Sequence, residues 1–506
     1  MLTYDLSLRG RKPKYEYLRR CIRDDIRSGR LPEGTRLPSK RGLSAHLGVS
    51  VSTVEQTYDL LSGEGYIAAR PGSGFYVCRG RDVGGAHAGQ TQDAAAGDTD
   101  GREERGTIDF KANRCSMNLF PAETWFRLMR RTLSDREPGL FETVPYNGIL
   151  RLRRAIADWL YEFRGIETTP DCIVVGAGTE YLYGRLLQLF GPNCTVAIAN
   201  MGSKKFVDLS RGSGVAWCYV PVDRHGMRVD RLARTGANVA HVSPANNFPA
   251  GIVMAEGRRE QLLTWAAGAT DRYIIEDDYD SELRYSGRAM PPLFTQDRLD
   301  RVVYLNTFSK TLVPSIRISY MVLPPALARI YQSQLSFYSC TVSSFEQYTL
   351  AAFMEEGHFE RHVNRLRRYY DKQRRLVVAA LRSSRLMEIA RIRSAEVGTH
   401  LLVEVRTAMG DAEVKAAALS AGMRLAMLSD YCVPQNVGNA HVLVLNFASI
   451  EPQMTNVVVE TLEGVFHDDI AAAMGAKGVV GAKGVVGAKG ASGEKNERPG
   501  LVSAPG

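Results

Sequence analysis

No run of apolar residues in this 506-residue chain approaches the roughly 18 that a helical membrane span needs. The opening MLTYDLSLRGRKPKY also lacks the apolar stretch of a signal peptide, which makes the cytoplasm the expected compartment. Eight cysteines (Cys21, Cys78, Cys115, Cys172, Cys194, Cys218, Cys340 and Cys432) form no C-x-x-C pair and no Cys/His cluster. Neither a zinc site nor a disulfide frame is expected, and reduced thiols fit the pattern. A single core is ruled out by length, which predicts roughly two to four domains. Charge is modest at +9, yet residues 1–80 hold 14 Lys and Arg against 8 Asp and Glu, a local +6. Most of the excess therefore sits at the N-terminus, where a module that seeks phosphate would put it.

Three blocks and a tail are visible. Residues 1–79 form the first block, followed at 80–106 by a stretch rich in Gly, Ala, Asp and Gln that cannot support a core and reads as a flexible linker. Residues 107–468 alternate short apolar runs with amphipathic segments, the rhythm of an α/β sheet covered on both faces. Its strand candidates are Ile173 to Val175, Val196 to Ile198, Val215 to Val220, Val239 to Val242, Tyr273 to Ile275, Val302 to Leu305 and Ile318 to Val322. From about residue 361, long basic helical patterns and two alternating segments indicate a smaller α/β part. Residues 469–506, with GAKGVV twice and then GAKGAS, read as a disordered Gly-rich tail.

The first block has the pattern of a winged helix-turn-helix. Leu18, Ile22 and Ile26 recur on one face of a helix that should stop at Gly29, and Ser39 should cap a second helix carrying Leu43 and Leu47 inward. Ser52-x-x-Glu55 reads as a capping box opening a third, with Val54, Tyr58 and Leu61 on its core face. Ser52, Thr53 and Gln56 then face outward, where hydroxyls and an amide reach base edges and phosphates in a major groove. Two short strands flank RPGSG as a wing whose Arg70 can follow a phosphate or minor groove. The same shape used only for protein contacts is the alternative, and the outward residues and charge favour DNA.

In the second block TFSKTLVPSIR follows the run Val302 to Leu305 and suits a lysine, Lys310, that holds pyridoxal phosphate. That cofactor needs an amine for its aldehyde, a carboxylate for the pyridine nitrogen, a partner for the phenolic oxygen and a cationic, amide-rich cradle for the phosphate. EDDYDSE puts Asp277 and Tyr279 at the carboxyl end of a strand, where open α/β sheets bind ligands. Thr307, Ser309 and Lys310 leave the next strand at the same edge, and Arg317 offers a planar fork. Gly178, Thr179 and Glu180 open a helix whose free N–H groups favour an anion. Asn246 and Asn247 in SPANNFPAG can face the ring oxygen. Each signal alone is weak, since EDDYD could be a solvated acidic turn or a metal site; the order and spacing of all four carry the reading.

GTRLPSKRGLSAHLGVSVSTVEQTYDLLSGEGYIAARPGSGFYV resembles the DNA reader of the GntR superfamily. The resemblance implies contacts to phosphate or bases from Arg36, Lys40 and Arg41, with Ser50, Ser52, Thr53, Gly72 and Gly74 completing the footprint. Val51 stands where that family often has arginine. Residues 1 to about 466 are similar to the MocR-type branch of bacterial regulators, a winged helix fused to a fold-type I aminotransferase-like domain of large and small α/β parts. EDDYDSELRY, NTFSKTLVPSIRISYMVLPP and SFYSCTVSSFEQYTL carry that likeness. It implies Lys310 as the lysine that joins the cofactor, Asp277 on the pyridine nitrogen, Tyr279 on the phenolic oxygen, and Thr307, Ser309 and Arg317 on the phosphate. It also implies a homodimer, with Tyr146 reaching the partner's pocket. Departures are ANMGS in place of ENPGY, which puts Ser203 where a stacking tyrosine is usual, and Glu180 where glutamine is common.

An aminotransferase grips its substrate carboxylate with a second arginine, but the matching stretch HVLVLNFASI has none, and Arg424 and Lys415 read as helix and loop surface. Little turnover is expected. The reading is a regulator that binds operator DNA and senses pyridoxal phosphate, or an amine or amino acid that reacts with it. A working aminotransferase with a fused DNA-binding domain is the second reading, and a regulator without cofactor the third.

Overall fold

The computed structural model describes residues 2–6, 13–63, 66–70, 73–78, 108–110, 119–135, 139–202, 204–285, 290–394, 398–433 and 441–483. The expected linker, Gly72 and Ser203 lie outside them. Met1–Asp100 and Gly101–Gly506 form two compact units. No helix among the described residues is long and apolar enough to cross a membrane.

In the first unit, α1 (Lys14–Arg27) packs fully buried Leu18 and Ile22 against Val54, Tyr58 and Leu61 of α3 (Val51–Gly63). Ser39 caps α2 (Lys40–Leu47), its Oγ accepting from the Gly42 N–H at 3.1 Å. The wing is β1 (Ile67–Arg70) paired antiparallel with β2 (Gly74–Val77). One expectation is corrected. The residue that caps α3 is Ser50, whose Oγ accepts from the Thr53 N–H at 3.2 Å, while Ser52 already lies inside the first turn. Gly48 at φ 64° turns the chain left-handed and Val49 is buried, so the helix starts two residues earlier than a Ser52 cap allows. Glu55, freed from capping, accepts from Lys40 Nζ at 2.7 Å.

The second unit holds β3 (Ile108–Asp109), then the strands β4 (Ile173–Gly176), β5 (Thr195–Ala199) and β6 (Ala216–Val220). After a small ribbon, β7 (Val222–Asp223) and β8 (Gly226–Met227), come β9 (Val239–Val242), β10 (Tyr273–Asp277), β11 (Val302–Thr307) and β12 (Ser319–Val322). A seven-stranded sheet has the order β4-β12-β11-β10-β9-β5-β6. β12 is antiparallel to both neighbours and every other pairing is parallel. All seven strand candidates read from the sequence are these seven strands. Apolar runs without alternation are what a sheet buried on both faces demands. On one face Val175, Tyr304 and Tyr320 meet Trp125 and Leu128 of α4 (Ala122–Ser134) and Ile156 and Leu160 of α5 (Leu150–Arg164). On the other, Val303, Leu305 and Met321 meet Leu182, Tyr183 and Leu186 of α6 (Thr179–Phe190) and Val207 of α7 (Lys205–Gly212).

A smaller four-stranded sheet is built from β13 (Ala390–Ser394), β14 (His400–Val405), β16 (Ala426–Met427) and β17 (His441–Asn446), with β15 (Met423–Arg424) pairing instead with β3. Phe110 is buried in the core of this part, so the small part draws on the start of the unit as well as on residues after 361. The helix His358–Ser383 gives Phe359 and Val363 to the large core and Tyr370 and Val377 to the small one, joining them. Arg424 lies on a strand, not in the helix or loop expected for it, and pairs with Asp109 at 3.3 Å. Of the expected tail, a helix His467–Lys483 runs past residue 468, and 484–506 lie outside the described residues. Ile470, 3% exposed, anchors it to the small core, and Asp468 and Asp469 suit a helix start.

Replacing Ser50 by alanine should cost α3 about 1 kcal/mol. Hydrogen exchange of the full chain should quicken at Thr53 and Val54, while Ser52→Ala leaves both rates near those of the parent; the reverse ranking would restore the Ser52 cap.

Candidate functional site

On the first unit, Arg36, Arg41, Ser50, Ser52, Gln56 and Arg70 are exposed and Thr53 half-exposed. Ser50 Oγ lies 2.9 Å from Ser52 Oγ and 2.8 Å from Thr53 Oγ1, so three hydroxyls form one polar knot at the start of α3. Val51 beside them is 43% exposed. Lys40 does not project alone: besides Glu55 it lies 3.7 Å from Asp59, and its hydrogen bond to Glu55 raises its pKa. On the wing, the Arg70 guanidinium sits over the Tyr76 ring at 4.5 Å, and Gly74 at φ 113° lets the chain pass close to Arg36.

In the second unit, β5, β9, β10 and β11 point their carboxyl ends into one cavity of about 270 Å³. Thr179, Glu180, Asn247, Asp277, Tyr279, Thr307, Ser309, Lys310 and Arg317 all line it, which brings most of the cofactor candidates together. Gly178 stands at its edge with φ 96°, and a Cβ there would collide with the Arg317 guanidinium. The side chains of Asn246 and Asn247 part company. Asn246 Nδ2 donates to Asp280 Oδ2 at 2.7 Å, whereas Asn247 Nδ2 is buried in the cavity wall without a partner. Tyr279 donates its hydroxyl to the Asn246 carbonyl at 3.2 Å, and burial pushes its pKa far up. Thr307 Oγ1 accepts from the Ser309 N–H at 3.2 Å and from Ser319 Oγ at 2.8 Å, shaping the turn before Lys310. Ser309 Oγ is buried and unpartnered.

Three lining residues escaped the sequence reading. His241, on β9, has its Nε2 3.7 Å from Asp277 Oδ2, and its ring centroid lies 4.0 Å from that of Phe206. Lys205 bonds Glu180 Oε1, while Arg317 Nη2 reaches Glu180 Oε2 at 2.6 Å. Burial alone would raise the Glu180 carboxyl, but the Lys205 hydrogen bond and then its own backbone, with Arg317 adding to them, hold it below the ordinary range. Their signals in the sequence were faint: Lys205 and Phe206 follow the missing tyrosine position by two and three residues, on a helix with no motif of its own.

Behind the cavity, the end of β10 sends Glu276 and Asp277 to opposite faces, as strand geometry requires. Asp277 and Tyr279 face the cavity, while Asp278 turns to the opposite side, where Arg164 Nη2 at 2.5 Å, Tyr304 OH at 2.6 Å and Ser281 Oγ at 2.8 Å all reach Asp278 Oδ2. Glu276 accepts the N–H groups of Leu293 and Phe294 at 2.8 and 2.9 Å. Burial, then Asp278, pushes the Glu276 pKa up. Asp280 is likewise raised, first by burial, against the pull of Asn246 and Lys310. No group of three or more metal-ligating side chains occurs among the described residues.

Residues 14–77 match the family model for bacterial regulatory proteins of the gntR family, and 106–412 match that for aminotransferase class I and II. The chain is 34% identical over 413 residues to the HTH-type transcriptional regulator YdeL of Bacillus subtilis, covering 82% of this chain and 88% of that one. It is 31% identical over 471 residues to the probable rhizopine catabolism regulatory protein MocR of Rhizobium meliloti, covering 90% and 94%. The pyridoxine biosynthesis transcriptional regulator PdxR of Corynebacterium glutamicum is 31% identical over 356 residues, 70% of this chain and 76% of its own. Among solved structures, the kynurenine aminotransferase of Pyrococcus horikoshii superposes with a TM-score of 0.65 over 72% of this chain and 92% of its own, at 23% identity. That likeness speaks for the fold.

The turn after Lys310 is tied down by a neutral histidine. His362 Nε2 donates to the Thr311 carbonyl at 2.7 Å, which leaves Nδ1 to accept from Arg365 Nη2 at 3.0 Å. Burial lowers the His362 pKa to about 4, and Arg365 adds to the effect. The unfolded chain therefore takes up a proton that the folded one refuses, so the stabilisation is whole above about pH 6.5 and is lost as pH falls toward about 4. Thermal midpoints measured across that window should fall, and the slope should be shallower in His362→Gln; an equal slope would assign the acid sensitivity to other groups.

Proposed function

The chain belongs to the MocR-type branch of GntR-family DNA-binding transcription regulators, with an aminotransferase class I and II domain behind its reader, and from this we propose that it senses pyridoxal phosphate, or an amine that reacts with it, and adjusts operator binding accordingly. The aminotransferase fold implies the cofactor. What supports binding in this chain is a set of buried polar atoms without partners around one cavity: Asp277 Oδ1, His241 Nε2, Asn247 Nδ2 and Ser309 Oγ. Leaving such atoms unpaired costs about 1–3 kcal/mol each, so their convergence indicates a polar occupant. The donor set fits pyridoxal phosphate. Asp277 would hold the protonated ring nitrogen with His241 behind it, Asn247 and Tyr279 the phenolic oxygen, and Ser309, Thr307, Arg317 and Lys205 the phosphate. Lys310 would hold the aldehyde carbon, and the bound cofactor would supply an electron-withdrawing ring. Phe206 answers the loss of the stacking tyrosine by offering an aromatic wall from the next helix.

Sensing is favoured over turnover by β17, whose residues Val442 to Leu445 are apolar and buried, so no guanidinium rises from that strand to grip a substrate carboxylate. On the reader, Arg36, Arg41, Ser50, Ser52, Thr53, Gln56, Arg70 and Gly74 would form the contact surface, with Lys40 steered by Glu55. A homodimer, with Tyr146 near the partner's pocket, belongs to the same reading.

Mixing the protein with pyridoxal phosphate and borohydride should label Lys310, and Lys310→Ala should lose both the label and any cofactor-dependent change in operator affinity. An unlabelled Lys310 would sink the cofactor reading, and many rounds of keto-acid formation from an amino acid would favour the working aminotransferase. For the reader, Arg41→Ala should weaken operator binding and reduce the slope of log K against log salt by about 1. Unchanged affinity and slope would contradict this docking.

A further inference from the structure

The phosphate end of the cleft is already held by an anion of the protein's own. Glu180 sits in the first turn of α6, where helix N–H groups and dipole favour negative charge, and it gives one carboxylate oxygen to Arg317 and the other to Lys205. Gly178 leaves the room for this arrangement: a Cβ there would meet the Arg317 guanidinium and come within 2.8 Å of Glu180 Oε2. Arg317 itself takes φ 49°, an uncommon conformation for a side-chain-bearing residue, and from it reaches across to α6. Ser309 Oγ, in the same cavity, remains buried and unpartnered, so the clamp leaves hydrogen-bonding capacity for a larger anion.

We propose that Glu180 is an internal stand-in for phosphate, and that a phosphate ester entering the cleft must displace its carboxylate from Arg317 and Lys205. The proposal rests on the cofactor reading above and adds a specificity-setting residue to it. Displacement is feasible because the clamp is open to water: the side chains of Arg317 and Lys205 are 48% and 50% exposed and that of Glu180 is 29% exposed. Two cations with one resident carboxylate present a net single positive charge to an incoming dianion. Removing the carboxylate leaves both cations to the phosphate. Glu180 thus lowers affinity for phosphorylated ligands and leaves the grip on the ring and aldehyde end untouched. A sensor so weakened fills only when the phosphorylated ligand is abundant.

The test compares the full-length protein with Glu180→Gln, using inorganic phosphate, pyridoxal phosphate and unphosphorylated pyridoxal as probes. Calorimetry follows phosphate and visible absorbance follows the two vitamers. Glu180→Gln is expected to bind inorganic phosphate and pyridoxal phosphate about tenfold tighter or more, with pyridoxal unchanged. Glu180→Asp, which keeps the charge on a shorter arm, should stay near the parent, separating a charge effect from disturbance of the helix start. Phosphate binding that is no tighter in Glu180→Gln, or pyridoxal binding that tightens equally, would overturn the proposal. Failure of the cofactor reading looks different: neither vitamer would change the absorbance of either protein, while the inorganic-phosphate comparison would still decide the role of Glu180.

Discussion

The buried carboxylate of Asp278 is the fixed point of the second unit. Its oxygen receives Arg164, Tyr304 and Ser281 in a region where both charged side chains are nearly inaccessible, 8% for Arg164 and 1% for Asp278. Such a pair adds little stability over apolar residues of similar size, yet removing one partner typically costs about 3–5 kcal/mol, because the other charge stays buried. The pair therefore specifies more than it stabilises. With Asp278 held to one side just past the strand end, Asp277, the last residue of β10, is committed to the other, into the cavity, and the turn that follows brings Tyr279 to the same cavity. Glu276, pinned by two backbone N–H groups, enforces the same phase one step earlier. A slip of one residue would turn the wrong carboxylates toward the cleft.

Opposite this anchored acidic wall lies the cationic one, and the two are built differently. The acidic side is buried and anchored through Asp278 and Glu276, with Asp277 Oδ1 left open toward the cavity; the Arg317, Lys205 and Glu180 cluster is half-exposed and made of long side chains on separate elements. Ligand-dependent rearrangement needs a part whose alternatives differ by little free energy, and solvent-screened ion pairs meet that condition while buried ones do not. On the proposed reading, the cleft would combine a stiff end to orient the cofactor ring with a yielding end to recognise its charge.

The architecture was largely legible because local pattern and tertiary role agree. Seven short apolar runs read from the sequence are the seven strands of the main sheet, and sites after strand ends converge because parallel strands present their carboxyl ends together. Where the reading failed, a choice between near-equivalent local options was settled by packing. Ser50 and Ser52 both suit an α3 cap, and the buried Val49 with the left-handed Gly48 selects Ser50. The helix through Lys483 was hidden by glycine-rich composition, although Ile470 docks its start. Phe206, Lys205 and His241 could not be read because their importance lies in contacts with residues far away in sequence. Phe206 matters through His241, and Lys205 through Glu180, which stands 25 residues before it.

Joining such a cleft to a reader sets a thermodynamic limit on what the ligand achieves. A ligand shifts operator affinity only by the difference in its own affinity for the DNA-competent and incompetent states, however tightly it binds either. A tenfold change in operator occupancy therefore requires about 1.4 kcal/mol of that difference to be expressed at the cleft. The anchored acidic wall has little room to supply it, because Asp278 and Glu276 are buried and each is held by several hydrogen bonds. The proposed exchange of partners at Arg317 and Lys205 could, since Glu180 would be released to water on one side of it and held on the other. The coupling is also reciprocal: DNA that favours one state must change the apparent affinity for the phosphorylated ligand by the same factor. If the cleft takes a phosphorylated ligand as proposed, Glu180, which departs from the family pattern, is where the chain's response would be set.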